Sequence, residues 1–202
     1  MRNLYRALFL MLLTMSTVSL MAQAPAAKKD AAPKKDAAPA KPPTMAEVFE
    51  IRLTSVEKWV VPAADAMPAE KYEFAPTQGE FTGVKTFAQQ VRHIAATNDL
   101  FAALILGEKP PLPGDQLEMG PADMKSKDEI LKYLKDSYAH LHKALASLTP
   151  ANSLESIPNG FGGTSTRLNT AILSIGHDYD HYGQMVEYLR MNGIIPPASR
   201  KK

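Results

Sequence analysis

The stretch 107–124 reads GEKPPLPGDQLEMGPADM, and its length decides the topology. The sequence is helical in pattern on both sides of it. Upstream, Thr86 and Gln89 have the spacing of a capping box, and Phe87, Val91, Ile94, Asn98, Phe101 and Ile105 recur on one face until Gly107. Downstream, Ser126 and Glu129 open a second such segment, in which Leu131, Leu134, Tyr138, Leu141, Leu145 and Leu148 alternate by three and four up to Pro150. A tight turn between two helices needs only a few residues, so this Pro/Gly-rich link is far longer than a hairpin requires. Fully extended it could reach roughly 55 to 60 Å, against about 30 Å for a helix of about 20 residues. The two helices it joins can therefore run parallel, connected by a crossover.

Two further amphipathic segments flank this pair. Thr44 and Glu47 start the first, with Met45, Val48, Phe49, Val56, Trp59 and Val60 at helical spacing until Pro62, which is expected to stop it. The last runs from about Ser165 to Met191 and ends on Asn192-Gly193, with Pro196-Pro197 beyond, as a left-handed C-terminal cap requires. Its apolar stripe reads as Leu168, Ile172, Ile175, Tyr182, Val186 and Leu189. No segment shows period-two alternation bounded by hairpin turns. The expected fold is all-α: a four-helix bundle spanning residues 44–202, with a long crossover between helices two and three.

What precedes residue 44 has a different character. MRNLYRALFLMLLTMSTVSLMAQA places Arg2 and Arg6 before an apolar run and then small residues, the layout of a secretory signal peptide over 1–22, cleaved after Ala22 or Ala24. Residues 23–43, QAPAAKKDAAPKKDAAPAKPP, repeat KKDAAP and offer nothing to bury, so an extended linker is expected. The chain has 23 basic and 21 acidic residues. Because Arg2 and Arg6 supply the excess, the exported chain would be neutral, with no electrostatic footprint for nucleic acid. An extracytoplasmic location follows, with no membrane anchor after cleavage. There is no cysteine, which excludes disulfides, thiolate metal sites and a cysteine nucleophile. Any metal must be held by imidazole or carboxylate.

Five histidines are available for that role. His177 and His181 lie four residues apart on one strip of helix four, with Leu173, Gln184 and Tyr188, nearly opposite the apolar stripe. That strip faces either solvent or a cleft, and an open metal site would need a third ligand. His140 reads as a solvated position and His142 as a half-buried, hydrogen-bonded one. His93 lies on a second ridge of helix two with Thr97, Leu100 and Leu104, a ridge suited to contact with another helix. Asp178 and Asp180 read as helix-surface charges, with a role orienting an imidazole as the alternative. Gly176 and Gly183 suggest close approach by a neighbour, since glycine costs about 1 kcal/mol against alanine inside a helix.

Together, three stretches resemble the DinB-like superfamily of metal-binding four-helix bundles, which includes the YfiT-like proteins. They are FAPTQGEFTGVKTFAQQVRHIAATNDLF at 74–101, the long link after it, and HDYDHYGQMVEYLRMNGIIPP at 177–197. The resemblance implies the same crossover bundle, a homodimer, and one divalent metal ion (zinc, nickel, iron or manganese) held by His93, His177 and His181. Tyr182 stands where several members carry another histidine. Some relatives are metal-dependent transferases or isomerases that use a low-molecular-weight thiol. For an exported chain the resemblance therefore implies a metal-dependent transferase or hydrolase with a small-molecule substrate and catalytic residues unassigned. The alternative is a non-enzymatic metal- or ligand-binding module.

Overall fold

The computed structural model of the protein describes residues 41–201, so the signal peptide and most of the linker expected from the sequence lie outside the described residues. Four helices dominate: α1 (Met45–Ala66), α2 (Phe87–Leu106), α3 (Lys127–Ala146) and α4 (Arg167–Met191). The capping boxes at Thr44/Glu47, Thr86/Gln89 and Ser126/Glu129 all form, each satisfying backbone donors that a helix start leaves unpaired. Gly107 caps α2 with φ 72°, the left-handed conformation that favours glycine. No described helix is long and apolar enough to cross a membrane.

Polar pairings fix the helix directions. Asp99 and Glu108 of α2 both reach His140 of α3, Glu108 also pairs with Lys143, and Arg92 bonds the carbonyl of Met124 just before α3. Positions rise together along the two helices, so α2 and α3 run parallel, as the length of the crossover predicts. Conversely, Asp65 pairs with Lys127 while Glu57 and Glu50 pair with His142, which makes α1 and α3 antiparallel. Contacts of Gln90 with Gln184 and of Thr97 with His177 make α2 and α4 antiparallel as well. Neighbours around the bundle follow the order α1, α3, α2, α4. Almost all of α2 is buried, whereas the inward face of α3 is Leu134, Tyr138, Leu141 and Leu145, as the periodicity predicts.

The crossover lies on α2 rather than looping free. Leu117 packs with Ala96, Leu100 and Leu104. Gly120, at φ 64°, sits so close to α2 that an added Cβ would come within 2.5 Å of the Arg92 Cβ. Only glycine satisfies both that contact and that backbone conformation.

Three expectations fail for identifiable reasons. Pro62 does not end α1, which continues to Ala66. A proline removes one backbone bond, at a cost of about 3 kcal/mol, and here the following turn completely buries Ala63, Ala64 and Met67. Pro68 is the stop, because it disfavours helical geometry at Met67, which has ψ 125°. Val48 and Trp59, assigned to the inward face, are largely exposed, the buried positions being Leu53, Val56 and Val60. Third, a two-stranded antiparallel hairpin, β1 (Ser156–Pro158) and β2 (Thr164–Thr166), joins α3 to α4. Its three-residue strands are too short to show alternation in the sequence.

Candidate metal centre

The inward face of α4 is not the one its apolar residues suggest. Ala171, Ser174, Ile175, Asp178, His181, Met185, Tyr188 and Leu189 are buried, while Ile172 is 57% exposed and Leu168, Tyr182 and Val186 are only partly covered. Polar residues occupy the inward strip, so a stripe drawn through apolar residues alone is displaced around the helix. His177 and His181 consequently face the bundle and not the solvent.

His93, His177 and His181 converge between α2 and α4. Their ring centroids are 4.4 to 4.9 Å apart, and one nitrogen from each lies within 4.8 Å of the others. The Nε2 atoms of His93 and His177 are 3.0 Å apart. His140 and His142 are elsewhere on α3. His140 is bridged to Asp99 and Glu108, where the sequence reads it as solvated, and His142 is clamped by Glu50 and Glu57 of α1.

The partners of the outer nitrogens fix the tautomers. His93 Nδ1 lies 2.7 Å from the carbonyl oxygen of Leu117, which can only accept, so Nδ1 carries the proton and Nε2 a lone pair. For His181 a chain of bonds leads to the same result. The Asp180 carboxylate accepts from Gln184 Nε2, Gln184 Oε1 then accepts from Gln90 Nε2, and Gln90 Oε1 is left to accept from His181 Nδ1 at 2.7 Å. His177 Nδ1 lies 3.4 Å from Thr97 Oγ1, whose own proton goes to the carbonyl of His93. The Nε2 atoms of the three rings are left to face one another. The 3.0 Å between those of His93 and His177 is bridged by a proton on one ring or by a cation, and two nitrogens on one tetrahedral zinc are separated by roughly 3.4 Å. The donor set and its outer hydrogen bonds are compatible with a metal ion.

Electrostatics point the same way. Burial, reinforced by His177 and His93, pushes His181 down to about 3. Burial also lowers His93, although its bond to Leu117 opposes the shift. Neutral imidazoles are the form that ligates.

Three supporting roles were not read in the sequence, although Thr97 lies on the ridge of His93 there. Gln90 holds His181, Thr97 holds His177 and the Leu117 carbonyl holds His93. The first two are three residues before and four after His93, on the same ridge of α2, and that spacing is the signal that could have found them. Asp178 is a correction. Read as a surface charge, it is completely buried, surrounded by His177 Nδ1 at 4.0 Å and by the side chains of Tyr138 and Asn98, with no hydrogen-bond partner in good geometry. Burial raises its carboxyl above the ordinary value. Gly176 and Gly183 are a second correction, since among the described residues nothing beyond the helix's own adjacent backbone lies within 4 Å of a Cβ added at either.

The profile of the DinB superfamily matches residues 52–185, a span that takes in all three histidines. The chain belongs to the DinB superfamily. Solved structures share the fold, two of them as follows. A DinB-like protein from Bacillus subtilis superposes with a TM-score of 0.57 at 17% identity, covering 76% of this chain and 99% of that one. A conserved protein from Enterococcus faecalis gives 0.58 at 15% identity, covering 74% and 98%. No curated protein matches the chain. At these identities the two structures speak to the fold of this DinB protein, and its chemistry has to be argued from its own side chains.

Proposed function

We propose that this chain is an exported DinB protein in which His93, His177 and His181 hold one divalent metal ion that serves a transfer or hydrolysis reaction on a small molecule. The observation that carries the reading is the set of outer hydrogen bonds, each of which occupies Nδ1 and leaves Nε2 as the atom free to ligate. Three imidazoles leave coordination positions open, as a catalytic site needs and a closed structural site does not. A metal there would supply a Lewis acid and lower the pKa of a bound water or thiol. The chain's own residues orient the rings, exclude water from behind them and keep His93 and His181 unprotonated. From an ordinary imidazole, protons would compete with the metal below about pH 6.5. The depressed His93 and His181 move that limit lower.

Export rests on the sequence of residues 1–22 and favours hydrolysis over thiol transfer, since an exported chain leaves the cytoplasmic thiol pool. Pairing with a second copy is supported by apolar side chains left exposed on neighbouring helices, Ile51 and Trp59 on α1 and Ile172 and Leu173 on α4. Gly176 and Gly183 share one face of α4 with Ile172, and their bare surface leaves room for a helix of the partner. The test is a panel of ester, amide and thiol-plus-electrophile substrates assayed with the metal-loaded protein, with His177→Ala as the blank. Turnover that requires both metal and His177 is expected. Metal bound without turnover of any substrate would leave a binding module instead.

A further inference from the structure

Two to three turns along α2 from His93 lies a cavity of about 460 Å³. Leu100 and Leu104 form its floor, Pro110, Leu112 and Leu117 of the crossover one wall, and Pro158 to Gly160 of the hairpin the other. It is about three times the size of a cavity of ~150 Å³ that accommodates benzene, and it falls within the usual range for small-molecule sites. Gly160 keeps the hairpin wall in place, because a Cβ there would meet Leu100 Cδ2 at 2.7 Å.

Two facts define what fits. The walls offer no free charge. The one carboxylate at the rim, Glu108, gives one oxygen to Lys143 and the other to His140, and Asn159 Oδ1 accepts from the backbone of Phe161. A charged group entering the cavity would lose water without gaining a counter-charge. Second, the cavity and the triad share structure. Leu117 lines the cavity with its side chain and holds His93 with its carbonyl. Phe101, next to Leu100, packs edge-on against His177 at 5.9 Å between centroids, and Phe161 of the hairpin turn packs on Phe101.

We infer that this cavity receives the uncharged, apolar portion of a substrate whose polar end reaches the histidine triad, so the substrate class is an amphiphile with an alkyl or aryl body. This deepens the proposed function and rests on it for the polar end. The cavity itself does not. Short polar metabolites and highly charged molecules are poor matches. The direction of approach is also set, with the apolar end under the crossover and the reactive end between α2 and α4.

Two probes separate the parts. The neutral fluorophore N-phenyl-1-naphthylamine reports the cavity alone. It should bind the wild-type protein, be displaced by 1-decanol, and bind at least tenfold more weakly when Leu104→Trp or Leu112→Trp fills the space. Leu112 is on the crossover surface, so its variant keeps the test valid if the Leu104 variant fails to fold. The second probe is a ladder of alkyl hydroxamates from acetyl to decanoyl, titrated against zinc-loaded protein. Affinity should climb about fourfold per methylene. The climb should flatten in the cavity variants, and in His181→Ala the hydroxamate head should lose its advantage while fluorophore binding persists. Fluorophore binding of equal strength in wild type and both variants would overturn the cavity as a ligand site. Fluorophore binding that behaves as expected, with hydroxamate affinity independent of chain length, would overturn its connection to the histidines. A protein that takes up no zinc yet binds the fluorophore would uphold the cavity and sink the metal reading.

Discussion

Replacing Gln90 with alanine should weaken metal binding without touching a ligand. Gln90 Oε1 is 2.7 Å from His181 Nδ1 and both side chains are buried, at 2% and 8% exposure. Water cannot readily take the place of the lost acceptor. The imidazole would then be free to rotate or to move its proton to Nε2, the atom that must ligate. Loss of a hydrogen bond behind a metal ligand costs about 10- to 100-fold in affinity, or roughly 1.4 to 2.7 kcal/mol, and burial places this case toward the upper half. Competition with a chromophoric chelator for zinc near neutral pH measures the change. Gln90→Glu keeps the acceptor for His181 but loses the donor to Gln184, so it should retain more affinity than Gln90→Ala and less than wild type. Gln184→Ala, one bond further out, should lose less than about tenfold. Affinity of Gln90→Ala within about twofold of wild type would refute the reasoning and leave the Gln90 network as packing.

Four other perturbations reach different parts of the structure. Leu141→Ala removes a completely buried side chain from the C-terminal half of α3 and should cost about 2 to 5 kcal/mol in chemical denaturation, a loss under about 1 kcal/mol being inconsistent with the packing described. Gly120→Ala should both destabilise the fold and weaken zinc binding, because moving the crossover off Arg92 also shifts the Leu117 carbonyl behind His93. A stable variant with unchanged affinity would contradict that coupling. Burial opposes protonation of His142, but hydrogen bonds to Glu57 and Glu50 outweigh it and raise its pKa. Its contribution, on the order of 1 kcal/mol, is full below about pH 6.5 and fades as pH rises through the raised folded value. The stability gap between His142→Gln and wild type should therefore be wide near pH 6 and narrow near pH 9. Finally, Ile172→Lys should convert a dimer to a monomer in sedimentation equilibrium, and a wild-type protein that is monomeric throughout would remove the pairing proposal.

The sequence carried the helices and their order because those signals are local. Capping boxes at Thr44, Thr86 and Ser126 need only four residues, and the length of 107–124 alone permits the parallel pair. What it obscured depends on neighbours in space. Pro62 looks like a stop until the burial of Ala63, Ala64 and Met67 is known. On α4 the inward strip is built from Ser174, Asp178 and His181, so a search for apolar periodicity selects exposed Ile172 and misses buried Asp178. Spacing made His177 and His181 a pair and left His93 as one candidate third ligand. The resemblance to DinB-like proteins brought the three together in expectation, and the fold brings them together in space. Leu117 could not have been found from composition, because it acts through its backbone carbonyl across 24 positions of sequence.

Metal content tests the histidine triad most directly. Elemental analysis of protein purified without chelators, followed by zinc and nickel titration of stripped protein, should give one divalent ion per chain in the wild type and none in His181→Ala. A wild-type protein that is isolated metal-free, takes up neither ion and keeps the same melting temperature when they are added would contradict the metal reading.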